Sequence, residues 1–530
     1  MGRYVNPDNE YFRTLIQSGR YVDKTALVSY MNSVLFSTQD QVVLTRPHRF
    51  GRTTACEMLA AYYSAGCDSK DLFAGLSAEK DPEYREHLNS HPVLFLRMQD
   101  FITADHIAGE PVVHNICRAV QEDLAKEYPS VVPGRDDDLP EYLCRVADQT
   151  GRRFIIIIDD MDLVFHHGKD DPDLRWHYFC FLRLLSRTSL TAHFLDGAFM
   201  TGLLPPMRMN TESGLSDYHE YTMVWQNLKE EYLGFTEAEV EEICRKYHVD
   251  MKEMKLWYQG YPMRRLGTVY CPYSVLQAAE TGTFACHWEA DASVKVLEKY
   301  LFLDVYRMKD AVEDLMNTGR TEVYRDVFNY DIARINTTDD VLDLLTHLGC
   351  LAYDRASHTV SIPNYEVHRY FVKALGQLHS PYRYMVERSD AVLEAIAEMD
   401  EETVSAVFEL IHSRYSKGRY SDAGILRVAI TTAFCNSEDG SYIAWEKLAS
   451  AEGLAAVLLR PRKDSGVLPA LVEMREGGPS ENAIAHLEEA YAGLLQKKGY
   501  QGDVMLVGVW YDRETGKHAC RMERMALASS

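Results

Sequence analysis

The first two hundred residues alternate between short apolar runs and stretches with helical spacing. Val42–Leu44, Val93–Leu96 and Phe154–Ile158 are apolar runs of strand length, and Ala198–Leu203 reads as a fourth strand. Ile155 to Ile158 are four consecutive isoleucines, a run that suits a strand buried on both faces. Helical patterns lie between them, as at Leu27, Tyr30, Met31 and Val34 and again from Ile116 to Leu124. Strands alternating with helices predict an α/β fold with a parallel sheet. The pattern changes after residue 230. Thr236 followed by Glu239 is a capping-box signature, and short helices are expected to about 285. Residues 295–350 are helical again. Leu351–Tyr353 and Val360–Pro363 then read as a hairpin, so helices followed by a small hairpin suggest a winged-helix-like segment. A charged stretch with Gly376 and His379-Ser380-Pro381 reads as a linker over 376–390. Beyond it come helices near 390–433, strands near 441–448, 455–460 and 469–474, a helix at 481–498, and strands at 503–511 and 518–524.

Composition narrows the class. With 530 residues, 46% hydrophobic and 25% charged, the chain is long enough for several folded domains. Its net charge of −23 argues against a nucleic-acid surface as the main business, because such surfaces concentrate Lys and Arg. No apolar run approaches the ~18 residues of a membrane span, and no signal-peptide core follows Met1. The eleven cysteines have no C-x-x-C pairing, which points to free thiols in a reducing cytoplasm. His166 and His167 fall in a stretch that reads as a solvated polar loop.

The chemistry concentrates at residues 44–54, Leu-Thr-Arg-Pro-His-Arg-Phe-Gly-Arg-Thr-Thr, between a predicted strand and a predicted helix. That is the layout of a phosphate-binding loop, in which backbone N–H groups and a helix N-terminus face an anion. Against the pattern G-x-x-x-x-G-K-[ST], Gly51 and Thr53 are in place, but Arg46 stands at the first glycine and Arg52 at the lysine. The candidate nucleotide-binding residues are Arg46, Arg49, Phe50, Gly51, Arg52, Thr53 and Thr54. The strand Phe154–Ile158 runs into Asp159 and Asp160. A strand-end aspartate beside such a loop can hold Mg²⁺, so Thr53 and Asp159 are the metal candidates. Asp160 is the candidate acid for polarising water, and Asp162 adds a third carboxylate. Arg264 and Arg265 read first as solvated surface residues, with a γ-phosphate sensor role for one of them as the alternative.

Thr45-Arg46-Pro47-His48-Arg49-Phe50-Gly51-Arg52-Thr53 resembles the T-R-P-R-R-F-G-K-T loop of the predicted AAA-ATPase-like family found in many bacteria. The resemblance extends through Tyr21-Val22-Asp23-Lys24-Thr25, Leu72-Phe73-Ala74-Gly75-Leu76, Ile158-Asp159-Asp160-Met161-Asp162, Thr201-Gly202, Leu233 to Val240, Trp257 to Tyr261, Tyr270 to Val275 and Ile362 to Val367. It covers residues 20–370. It implies a P-loop core over 1–230, a helical lid over 231–290, a winged-helix-like segment over 291–376, and ATP with Mg²⁺ as ligands. Three positions depart from the family pattern: Arg52 for lysine, Asp160 for glutamate and Gln259 for aspartate.

Members of that family often carry a C-terminal PD-(D/E)XK nuclease-like domain, and residues 390–530 are similar to it in order. Gly453 to Pro461 aligns with G-R-x-D-h-h-h-x-P, and Leu471-Val472-Glu473-Met474-Arg475 with I-I-E-F-K. The resemblance places Ala456 at the metal-binding aspartate, Arg475 at the lysine and Leu494 at the helix glutamine. Glu473 alone keeps its identity, and one carboxylate is too few for a Mg²⁺ site built on several oxygens. The expectation is an ATP-binding regulatory or scaffold protein with a catalytically dead nuclease-fold domain and a protein partner. An active Mg²⁺-dependent ATPase driving domain motion, and an interaction protein with both sites decayed, are the alternatives.

Overall fold

The computed structural model describes residues 2–102, 112–134, 138–186, 189–205, 218–224, 232–263, 267–288, 292–301, 303–324, 335–376, 387–413, 442–448, 456–461, 465–476, 483–498, 500–512, 514–515 and 517–527. The chain forms two compact units. One comprises Met1–His287 and Val323–Pro363, the other Trp288–Glu322 and Asn364–Ser530.

The first unit is built on a parallel sheet of β1 (Gln41–Thr45), β2 (Val93–Arg97), β3 (Phe154–Asp159), β4 (Leu195–Gly202) and β5 (His219–Tyr221), in the order β2-β3-β4-β1-β5. The isoleucine run explains why helices cover both faces. Ile155 and Ile157 join Val42, Leu44, Phe95 and Phe199 under the helices Ala26–Val34 and Arg52–Tyr63. Ile156 and Ile158 join Val43, Leu94, Leu96 and Met200 under the helices Val112–Glu127, Leu139–Thr150 and Pro172–Ser186. Alternate side chains of a strand point to opposite faces, so an unbroken apolar run supplies two cores at once. Every residue of β1, β3 and β4 is buried. The short edge strand β5, His-Glu-Tyr, carries no apolar run and was not foreseen from the sequence.

Residues 232–287 add the helices Glu237–Tyr247, Met251–Tyr258 and Pro272–Thr281. The first has the expected capping box, with Glu239 N–H donating to Thr236 Oγ1 and Thr236 N–H to Glu239 Oε2. Where only helices were expected, an antiparallel hairpin of β6 (Gln259–Met263) and β7 (Gly267–Tyr270) intervenes. Its Gly and Pro read as loop residues in the sequence. Gly260 is required there, because a Cβ would lie 1.8 Å from the carbonyl oxygen of Pro363. The Trp257–Tyr261 and Ile362–Asn364 motifs thus meet at one backbone contact. Tyr261, fully buried, also donates its hydroxyl to Gly349 O at 2.9 Å. The helix Thr338–His347, capped by Thr337, leads into the hairpin β9 (Ala352–Asp354) and β10 (Thr359–Ser361) at the foreseen place.

The second unit contains the short strand β8 (Arg320–Glu322) and a sheet of β11 (Tyr442–Leu448), β12 (Ala456–Pro461), β13 (Ala470–Glu476), β14 (Gly502–Tyr511) and β15 (His518–Leu527), paired in sequence order. The β13–β14 pair is parallel and the others antiparallel. The helix Ala483–Lys497 crosses between β13 and β14 and buries Leu487, Tyr491 and Leu495 on one face of the sheet. The helices Ser389–Glu398 and Glu401–Ser413 cover the other face through Leu393, Ile396, Val404 and Phe408. Among the described residues, no helix is long and apolar enough to cross a membrane, and the described cysteines are free thiols.

Candidate functional site

The loop after β1 is shaped by residues that turn away from it. Arg46 is 1% exposed and its Nη1 donates to Thr45 O at 2.8 Å and to Tyr221 O at 3.4 Å, tying β1 to β5. Arg49 takes φ +69° and lays its guanidinium 4.4 Å over the Tyr273 ring, a cation–π contact with the start of the helix Pro272–Thr281. Phe50 is buried, packs edge-on against Tyr261 and accepts the Gly234 N–H through its carbonyl at 3.0 Å. Gly51 then turns the chain at φ +91° into the helix Arg52–Tyr63. The first N–H groups of a helix have no intrahelical acceptor. Among the described residues no side chain caps this one, and a Cβ on Gly51 would meet nothing within 4 Å. The opening of this helix has the character of an anion site, since the helix dipole favours negative charge there.

Two carboxylates at the end of β3 face this opening. Asp159, 4% exposed, accepts the Thr53 hydroxyl on Oδ2 at 2.7 Å and the Thr201 hydroxyl on Oδ1 at 2.8 Å. Strand β4 lies between β1 and β3, so Thr201 reaches Asp159 from the neighbouring strand. Arg52, with 7% of its side chain exposed, places Nη2 at 2.9 Å from Asp160 Oδ1. Its Nη1 is buried and has no hydrogen-bond partner among the described residues. Asp160 sits at φ +54°. Burial pushes its carboxyl up to about 6; Asp159 and Asp162 add to the rise, while Arg52 and His166 oppose it.

Asp162 serves the framework instead. Burial works to raise its carboxyl, but His166 and the Leu204 N–H outweigh it, so the group lies below the usual aspartate value. His166 Nε2 is 2.7 Å from Oδ2, and the Leu203 and Leu204 N–H groups donate to the same carboxylate. Residues 163–167 are a short helix rather than the polar loop the sequence suggested, and His166 belongs to this contact. Gly202 is explained by the same carboxylate, since a Cβ there would come within 2.4 Å of Asp162 Oδ1.

Beside the loop lies a partly open, largely apolar pocket with a cavity volume of about 100 Å³, lined by Tyr21, Val22, Phe50, Met58, Phe235 and Leu276 among others, and also by Gly51 and Thr54. The Tyr21–Thr25 motif forms one wall. Asp23 accepts from Thr25 and from the Ser77 N–H. Lys24 Nζ reaches Glu239 at 2.7 Å, joining the motif to the capping box of the helix Glu237–Tyr247. An apolar pocket thus adjoins the N-terminus of the helix Arg52–Tyr63.

In the second unit, Ala456 and Glu473 are direct partners across the β12–β13 pair. Glu473, 1% exposed, is met by Arg475 Nε at 2.7 Å and by the Tyr491 hydroxyl at 3.0 Å. Leu494 packs on the same apolar layer. No group of three or more His, Cys, Asp or Glu side chains poised for a metal occurs among the described residues. Tyr491 was not singled out in the sequence, where one tyrosine in an amphipathic helix carries no signal. Arg264 and Arg265 lie outside the described residues.

The first unit's strand–loop–helix, with a threonine hydroxyl on a strand-end aspartate one strand away, is a P-loop nucleotide scaffold. In agreement, residues 9–210 match the family model described as Predicted AAA-ATPase. Three solved structures from Aeropyrum pernix are similar over much of the chain. The ORC2 protein in its ADPNP-ADP complexes shares 12% identity, covering 67% of this chain and 94% of that one, with a TM-score of 0.30. The ADP form of ORC2 shares 12% identity over 68% and 94%, with a TM-score of 0.27. The ORC1 protein in complex with DNA shares 10% over 67% and 93%, with a TM-score of 0.22. No curated protein matches the chain.

Proposed function

We propose that the first unit binds ATP and turns it over slowly, and that the chain acts in the cytoplasm as a nucleotide-dependent regulatory or scaffold protein. The observation that carries this reading is Arg52. Its Nη1 is buried beside an uncapped helix N-terminus with no partner among the described residues, and burying an unsatisfied charged donor is costly unless an anion completes it. Gly51 to Thr54 would take the phosphates. Thr53 and Asp159 fit Mg²⁺, since both are oxygen donors and already share a 2.7 Å contact. The bound ion would supply charge neutralisation on the phosphates. Residues 231–290 act in this reading as a lid over the base, and the helix–hairpin of 338–361 as a winged-helix-like element. Slow turnover follows from the pair, because Asp160 is engaged with Arg52 Nη2 and so is held away from polarising water. The raised carboxyl of Asp160 favours a working ATPase as the second reading.

The same proposal treats residues 390–530 as a nuclease-like fold without cleavage. Glu473 is sealed by Arg475 and Tyr491, and Ala456 offers no second carboxylate beside it. Such a domain is suited to holding a protein partner. Calorimetric titration with Mg²⁺-ATP and Mg²⁺-ADP tests the nucleotide reading. Saturable binding below millimolar nucleotide, with little phosphate release, is expected. No binding at millimolar nucleotide overturns it, and steady release at enzyme-like rates moves the conclusion to the working ATPase. Mg²⁺- or Mn²⁺-dependent cleavage of DNA or RNA would overturn the view of the second unit.

A further inference from the structure

Arg52 and Asp160 look in the sequence like two separate losses, 108 positions apart (160 minus 52). The structure makes them partners. We infer that they are one matched unit, in which Asp160 positions Arg52 for a phosphate group. This rests on the nucleotide reading above and specifies how the loop recognises its ligand.

A guanidinium is planar and carries donors on two separate nitrogens. Here Nη2 is docked on Asp160 at 2.9 Å, while Nη1 of the same plane remains buried and unpartnered among the described residues. One nitrogen is fixed by protein and the other is left for ligand. With only 7% of the side chain exposed, the guanidinium has little freedom to choose another pose. A lysine offers a single compact ammonium and cannot hold an aspartate with one nitrogen while presenting a second.

The carboxylate side is equally specific. Asp160 sits at a positive φ directly after the strand end, with its backbone fixed by the Met161 N–H donating to Thr201 O at 2.8 Å. From that fixed backbone the aspartate side chain ends where Nη2 meets it. A glutamate would carry the carboxylate a further carbon–carbon bond into the space Arg52 occupies. The longer cation and the shorter acid therefore fit one another, and neither fits the other's usual counterpart. Asp160 touches no ligand in this scheme; it acts through Arg52.

A four-protein cycle tests the pair: the natural protein, Arg52→Lys, Asp160→Glu and the double change. Each is titrated with Mg²⁺-ADP, and thermal unfolding is recorded without nucleotide. Each single change is expected to weaken binding about tenfold, and the double change to recover to within about threefold of the natural protein. Recovery of binding by two changes that are separately harmful is not expected of side chains that merely stabilise the fold. Additive losses in the double variant overturn the inference and leave the nucleotide reading intact. Binding unaffected by either single change overturns it as well. If the natural protein fails to bind at millimolar nucleotide, the nucleotide reading falls and the inference falls with it. Variants that unfold early are distinguished by the nucleotide-free melting curves. In that case Arg52→Gln and Asp160→Asn replace them: Asp160→Asn is expected to weaken binding in the natural protein and to have no further effect once Arg52 is glutamine, and equal losses in both backgrounds overturn the inference.

Discussion

Replacing Thr201 with valine would isolate the hydrogen bond that supports the candidate metal ligand. Thr201 is fully buried, and its hydroxyl donates to Asp159 Oδ1 at 2.8 Å. Valine keeps nearly the same volume, so no cavity opens; what disappears is one donor to a carboxylate only 4% exposed. Hydrogen bonds to charged groups contribute about 1.5–3 kcal/mol. The new methyl would lie near Cys56 Sγ, 3.6 Å from the present hydroxyl, and recover a few tenths. A net loss of about 2 kcal/mol is expected, or about 30-fold faster hydrogen exchange of the β3 and β4 amides that open by unfolding. Thr53 still holds Oδ2, so Asp159 is loosened and not released. Outer partners of metal ligands are typically worth 10- to 100-fold in affinity, so the gain in ADP affinity on adding Mg²⁺ should shrink about tenfold while affinity in EDTA is unchanged. Thr201→Ser, which keeps the hydroxyl, should retain that gain. Exchange within threefold of the natural protein together with an undiminished Mg²⁺ effect would refute the reasoning. An equal loss in EDTA would show that Thr201 supports the loop and not the metal position.

Three further outcomes follow, two in the first unit and one in the second. Burial raises the Asp160 carboxyl from 3.8 to about 6, so the folded state holds this proton more tightly than the unfolded chain. The stability this contributes, up to about 3 kcal/mol, is fully present below about pH 4 and is lost as the pH rises through about 6; urea unfolding should show a shallower slope over that window in Asp160→Asn. Gly260→Ala would force a methyl against Pro363 O, now 1.8 Å from the Cβ position, and should lower the melting temperature of the first unit by about 5–10 °C. Gly493→Ala, in a helix with nothing within 4 Å, should be neutral or stabilising on the same scan.

The sheet of the first unit was legible because its strands are buried on both faces and so appear as unbroken apolar runs. Strand β5 and the β6–β7 hairpin were not, since His-Glu-Tyr and Gln-Gly-Tyr-Pro-Met carry no such signal. The strand–loop–helix at residues 41–63 and the aspartate that ends β3 were legible as motifs. Their wiring was not. Arg46 was a candidate for phosphate, yet its guanidinium is occupied with the carbonyls of Thr45 and Tyr221. Arg49 was another, and it lies on Tyr273. Both choices depend on which distant segment closes over the loop, and local pattern holds no record of that. Arg52 and Asp160 illustrate the same limit: compared one at a time with a motif they look like decay, and only their proximity makes them a pair.

The route of the backbone has a practical corollary. The chain passes from the first unit to the second after His287, returns at Val323, and leaves again after Pro363. Three covalent passages join the two bodies, so no single protease cut can part them. Cleavage at the 376–390 stretch that resembles a linker would release only the part of the second body beyond the cut, and leave Trp288–Glu322 and the residues from Asn364 to the cut attached to the first. An expression fragment ending near 287 would lack Pro363, against which Gly260 is packed, so a fragment of the first body must also carry Val323–Pro363.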